Sequence, residues 1–126
     1  MSNTILRRHS TYSRGLQGEL SAARTLQNKG MKIIARNIRS PWGEVDLVAL
    51  DGDALAFVEV KNWPAHGLED LAYGITEKKK RRIIETAKYF LSIHREYNYR
   101  SIRFDVVFLN GGNSIYLDSA FMESPW

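Results

Sequence analysis

The sequence predicts an α/β fold, a mixed β-sheet flanked by helices with its elements in the order α-β-β-β-α-β-β. Three observations lead there. Five short segments rich in Val, Ile, Leu and Phe are divided by turn residues, and two longer segments repeat apolar residues every three to four positions. The second of these falls between the third and fourth strands, where a helical crossover, expected to be right-handed, joins parallel neighbours.

Each element follows from its residues. Residues 12–29 carry Leu16, Leu20, Ala23 and Leu26 at helical spacing, and Gly30 stands as the stop. A short strand at 32–38 is broken by Ser40-Pro41-Trp42-Gly43. Glu44–Leu50 and Ala54–Lys61 flank Asp51-Gly52-Asp53, a hairpin signal. Residues 62–75, with Pro64, Gly67 and Gly74, read as a loop. Thr76 is a good N-cap for a helix reaching about Tyr97, with Ile83, Ile84, Ala87, Phe90, Leu91 and His94 on its buried face. Phe104–Leu109 is apolar on both faces, as a covered central strand requires, and Asn110-Gly111-Gly112-Asn113 turns the chain into Ser114–Leu117.

A chain of 126 residues has the length of one domain, expected to span 1–126 with a flexible N-terminal segment at 1–11. Its 44% apolar and 25% charged residues exclude a disordered or fibrous chain. The longest apolar run, Ala54–Val58, falls far short of the ~20 residues that cross a bilayer. MSNTILRRHS lacks the apolar stretch of a secretory signal and there is no cysteine, so a cytoplasmic location is expected and thiolate chemistry is excluded. His9, His66 and His94 show no ligand spacing.

The net charge of +4 is segregated along the chain. Residues 1–39 hold eight Arg or Lys against Glu19 alone, residues 76–103 hold nine against three acids, and residues 44–59 hold five acids and no base. Two basic segments around a carboxylate cluster suit a polyanion held against that cluster.

Side chains alternate along strands, so Glu44, Asp46, Val48 and Leu50 share one face, and Leu55, Phe57, Glu59 and Lys61 share another. Hairpin register decides whether those faces coincide. A two-residue loop, whether Gly52-Asp53 or Asp51-Gly52, puts Asp46, Glu59 and Lys61 together; a three-residue loop scatters them. Opposed carboxylates repel. A divalent cation such as Mg²⁺, which takes oxygen ligands, would offset that repulsion, and Lys61 would meet charge developing on a phosphate. The alternative is a cross-strand Glu44–Lys61 salt bridge with Asp46 facing solvent. In the second helix, Lys79 and Lys80 continue the line of Ile83 and Ile84 toward the sheet, while Lys78, Arg81 and Arg82 face outward. Lys79 is thereby a candidate phosphate contact and the rest an electrostatic collar. Arg103 and Asp105, on either side of Phe104, read as structural partners.

Asp46 followed after twelve residues by Glu59-Val60-Lys61 resembles the D…E-x-K signature of the PD-(D/E)xK nucleases, whose restriction-endonuclease-like fold includes the archaeal Holliday junction resolvases. Gly18-Glu19, Ala22-Ala23, Leu26, Gly30, Ala35-Arg36-Asn37, Gly43-Glu44-Val45-Asp46-Leu47, Phe57-Val58-Glu59-Val60-Lys61, Lys79 and Arg103-Phe104-Asp105-Val106-Val107 resemble the bacterial YraN-like family. The resemblance implies Mg²⁺ or Mn²⁺ held by Asp46 and Glu59, the Val60 carbonyl as a third ligand, Lys61 as catalytic lysine, and Glu19 reaching toward the metal from the first helix. It implies Glu44 as a supporting acid on the Asp46 face, while helical spacing and charge, not the resemblance, make Lys78, Lys79, Arg81 and Arg82 the candidate nucleic-acid contacts. DNA is then the expected substrate, branched DNA included, and if that substrate is a four-way junction a homodimer is the way to cut it twice. One departure stands out. Asn62-Trp63-Pro64 replaces the threonine and arginines with which many members continue, removing a basic contact and offering Trp63 for stacking or core cover.

Overall fold

Apolar periodicity and turn chemistry build a five-stranded sheet with a helix on each face. In a computed structural model that describes residues 17–62, 75–110 and 112–123, helix α1 occupies 17–28. It is followed by β1 (Lys32–Ser40), β2 (Gly43–Asp51), β3 (Ala54–Asn62), α2 (Glu77–Ile93), β4 (Ser101–Asn110) and β5 (Asn113–Phe121). Spatial order follows chain order, with β3 and β4 parallel across the α2 crossover and the other pairs antiparallel. The expectations for residues 1–11, for the 63–74 part of the loop and for Trp63 lie outside the described residues.

The two faces bury residues of different size. Leu47, Ala49, Ala56, Val58 and Val107 meet Ala22, Ala23 and Leu26 of α1. On the other face Val48, Leu55, Phe57, Phe104, Val106 and Phe108 meet Ile83, Ile84, Ala87 and Phe90 of α2. Alternation of Leu55 and Phe57 with Ala56 and Val58 divides β3 between the two cores.

Caps set the helix bounds. Gly30, at φ +85°, ends α1 in a Schellman motif, with Met31 N–H donating to the Leu26 carbonyl and Gly30 N–H to that of Gln27. Thr76 accepts the Lys79 N–H at 3.1 Å to start α2. That helix stops at Ile93, short of the expected Tyr97: His94 leaves helical geometry, and a 3₁₀ turn at Arg95–Tyr97 folds Tyr97 back onto Phe90. The apolar spacing is thus satisfied by a tighter turn. β4 and β5 outrun the expected 104–109 and 114–117, because Ser101–Arg103 find partners on β3 and a register shift near Asp105 carries β5 on to Phe121.

Two local devices place the site. The β2–β3 hairpin closes at Asp51–Ala54 over Gly52-Asp53, with Gly52 at φ +57° as a type II′ turn requires. In β1 and β2, Ala35, Ile38, Val45 and Val48 all face the α2 core although each strand steps three residues between them. Asn37, at φ +49°, absorbs that change of phase, in a conformation Asn tolerates better than most residues. Asp46 lies in the corresponding stretch of β2, between Val45 and Leu47.

Candidate active site

The β2–β3 ladder runs from Asp51–Ala54 to Leu47–Val58, and beyond it Glu59 to Asn62 pair with β4 alone. The Asp46 carboxylate fills the opening, accepting the Val60 N–H at 2.7 Å through Oδ2. A side chain thus replaces the main-chain partner the strand has lost. Glu59 is 5% exposed and points to the α2 face, where its Oε1 lies 2.8 Å from Lys79 Nζ. The hairpin register therefore brings Asp46 and Glu59 side by side, each in the electrostatic field of the other.

Electrostatics follow from this crowding. Burial, then the Asp46 charge, pushes the Glu59 pKa up to about 7 against the opposing pull of Lys79 and Lys61. Burial also raises Asp46, with Glu44 adding to it, and the Val60 N–H and Lys79 only partly offset the rise. Desolvation alone would lower Lys79, but its bond to Glu59 and the charges of Glu59, Asp46 and Glu44 together raise it. The pair is a partly buried, undercompensated concentration of negative charge.

The remaining candidates are distributed around it. Lys61 is half-buried on β3, its charge acting on Glu59, and it forms no ion pair among the described residues. Glu44 is not joined to Lys61; it lies 3.7 Å from Arg39, and both are exposed. Glu19 is held by Asn37, whose Nδ2 donates to both carboxylate oxygens at 3.0 and 3.1 Å, and it does not join the pair. Among the described residues, no three His, Cys, Asp or Glu side chains converge in a metal-holding group. Lys79 turns to the sheet, while Lys78, Arg81 and Arg82 lie on α2, Arg81 and Arg82 exposed. Helical spacing predicts Lys79 near the site, but its direct bond to Glu59 depends on how α2 seats on the sheet.

The donor set fits a hard divalent cation. Its donors are the carboxylate oxygens of two adjacent groups, one half-buried and one buried, and the Lys79 ammonium already stands against Glu59 as a cation in that place. Asp46 and Glu59 are the residues that would hold it.

A second buried carboxylate is a structural one. Asp105 has no exposed surface and accepts from Arg103 Nε at 3.0 and 3.1 Å, from Ser119 N–H at 2.9 Å and from the Tyr116 hydroxyl. Arg103 also reaches Asp51 at 2.9 Å.

A family model described as an uncharacterised protein family, UPF0102, matches residues 18–109, which include both carboxylates and both lysines of the site. The chain belongs to the UPF0102 family. The YraN-like resemblance of its motifs leads to the same family. A UPF0102 protein of Treponema pallidum strain Nichols is 46% identical over 95 residues, covering 75% of each chain. One of Rhodopseudomonas palustris strain BisB18 is 40% identical over 120 residues, 94% of this chain and 87% of its own. One of Persephonella marina is 33% identical over 111 residues, 88% of this chain and 95% of its own. Among the described residues of this UPF0102 chain, no helix is long and apolar enough to cross a membrane.

Proposed function

We propose that the chain is a Mg²⁺- or Mn²⁺-dependent nuclease of the restriction-endonuclease-like type that hydrolyses DNA phosphodiester bonds, with branched DNA among the substrates to test. One observation carries this reading: half-buried Asp46 and buried Glu59 are adjacent carboxylates at an open strand end, with Lys61 and Lys79 beside them. A fold gains no stability from such a pair, and like charges this close are retained where a cation joins them.

A bound divalent cation would supply Lewis-acid polarisation of the phosphate and of the attacking water. The protein's own groups do the rest. Asp46 and Glu59 would hold the cation. The Val60 N–H holds the Asp46 carboxylate in one orientation, so no reorganisation is needed during attack. Lys61 lies on the strand face of Glu59 and stabilises charge that grows on the phosphoryl oxygens. Lys79, which here neutralises Glu59, would be the cation nearest to a phosphate oxygen at the pair. Lys78, Arg81 and Arg82 supply sequence-tolerant attraction for the backbone. Symmetric cutting of a four-way junction would take two copies of the site, hence a homodimer.

The test is a panel of single-stranded, duplex and four-way DNA incubated with pure protein, with and without Mn²⁺. Metal-dependent cleavage that disappears in Asp46→Ala is expected. Binding without cleavage under any metal would replace this reading with a non-catalytic DNA-processing module, in which Lys79 is the permanent counter-ion of Glu59.

A further inference from the structure

Away from the carboxylates, one exposed feature is held in place by specific contacts. Trp42 at the β1–β2 turn is 50% exposed and Tyr89 on α2 is 38% exposed, and their rings meet edge to face at 6.2 Å and 61°. Contact through an edge leaves ring faces uncovered by the partner. The turn beneath them is tied down. Ser40 Oγ accepts the Trp42 N–H at 3.2 Å, donates to the Gly43 carbonyl at 3.3 Å and shares a 2.7 Å hydrogen bond with Thr86 Oγ1, and Thr86 is fully buried. Gly43 gives Arg82 room to pass, since a Cβ there would lie 3.3 Å from the arginine Cβ.

These contacts lie on one stripe of α2. Lys79 meets Glu59, Arg82 meets Gly43, Thr86 meets Ser40 and Tyr89 meets Trp42, in steps of three and four residues. Ten helical residues from Lys79 to Tyr89 span about 15 Å. Four strand residues from Asp46 back to Trp42 span about 13 Å. Both rulers put the rings some four stacked nucleotides from the carboxylate pair, or fewer along an extended strand. Arg82, like Lys78 and Arg81, forms no ion pair among the described residues, so its charge is available to a phosphate between the two points.

We propose that Trp42 and Tyr89, with Arg82, form a stacking site for an unpaired nucleobase, so that the nucleic acid entering the carboxylate pair is single-stranded on this side. The inference rests on the nuclease reading and names the substrate form it takes. Aromatic faces accept any base, whereas a closed duplex keeps its bases stacked within and offers the rings nothing to cover them. Because the turn is fixed before binding, little ordering cost opposes stacking.

The experiment compares anisotropy-measured affinity for a labelled oligothymidine strand and for a duplex closed by hairpins at both ends, in EDTA so that nothing is cut. Trp42→Ala and Tyr89→Ala should each weaken single-strand binding by about five-fold or more, and change closed-duplex binding less than two-fold. Trp42→Phe should recover most of the loss, and unchanged circular dichroism and melting of the Trp42 variants would confirm that the fold is intact. Lys78→Ala with Arg81→Ala should weaken both ligands alike. If Trp42→Ala binds the strand as wild type does, or loses equally on both ligands, the stacking site is wrong while the nuclease reading stands. If wild type binds neither ligand, both fall.

Discussion

The molecule takes carboxylates from water in two places, fully at Asp105 and in part at the Asp46–Glu59 pair, and treats them in opposite ways. Asp105 receives Arg103, the Ser119 N–H and the Tyr116 hydroxyl, so its charge is met on every side by donors from β4 and β5. Asp46 and Glu59 receive one backbone N–H and one lysine between them, and each lies in the field of the other. Burial of an acid is therefore no mark of function by itself. The mark is burial without sufficient donors, which leaves a site energetically open to a cation.

The largest expected effect lies at the compensated site. Asp105→Asn deletes the negative charge from a buried ion pair and leaves Arg103 with less to meet it, so urea denaturation should show a loss of about 3–5 kcal/mol. A loss under about 1 kcal/mol, the scale of an exposed pair, would erase the distinction between the two regions.

The next effect is on rate. On the nuclease reading, Lys61→Ala should slow cleavage by about 10²–10³-fold while binding DNA within a few-fold of wild type, because that reading has Lys61 stabilise charge that develops only during attack. Lys61→Met controls for loss of the packed side-chain stem. Wild-type rates in both variants would make Lys61 structural.

The undercompensated pair also has a pH signature. Glu59 has a folded-state pKa of about 7 against an ordinary value of 4.5, so the folded state holds its proton more tightly than the unfolded chain does. That contribution is complete below about pH 4.5 and is lost as pH rises through about 7, a decline on the order of 3 kcal/mol in metal-free buffer. Glu59→Gln should flatten the slope between about pH 5 and about pH 7. Asp46→Asn keeps an acceptor for the Val60 N–H and removes one of the two charges, so it should raise stability at about pH 8 by about 1 kcal/mol, opposite in sign to Asp105→Asn. If Asp46→Asn lowers stability instead, the pair is compensated and the contrast fails.

The smallest effect concerns the solvated collar. Lys78→Ala combined with Arg81→Ala should reduce the slope of log affinity against log salt on duplex DNA by nearly two if each meets one phosphate. An unchanged slope would leave them as an ordinary helix surface.

Much of this was legible in the residues. Alternation along Ala54–Lys61, with a two-residue turn at Gly52-Asp53, set the register that brings Asp46 beside Glu59, because strand parity and hairpin geometry are local rules, whereas the change of phase between Val45 and Val48 was not legible in the alternation. The same locality set Gly30 and Thr76 as helix bounds and turned Lys79 and Lys80 toward the sheet. Other features depended on contacts between elements far apart in the chain. That Lys79 takes Glu59, that Asn37 rather than the pair holds Glu19, and that Arg39 takes Glu44 are decided by how the elements pack, which no periodicity encodes. Asp105 finds its donors only once β5 lies beside β4, and Trp42 meets Tyr89 only because Ser40 is tied to Thr86, 46 residues away. The sequence by itself determined which side chains share a strand or helix face, because that follows from backbone geometry over a few residues. Only the tertiary structure decided which charges are met and which are left wanting, since compensation of a buried charge is a sum over every element packed around it.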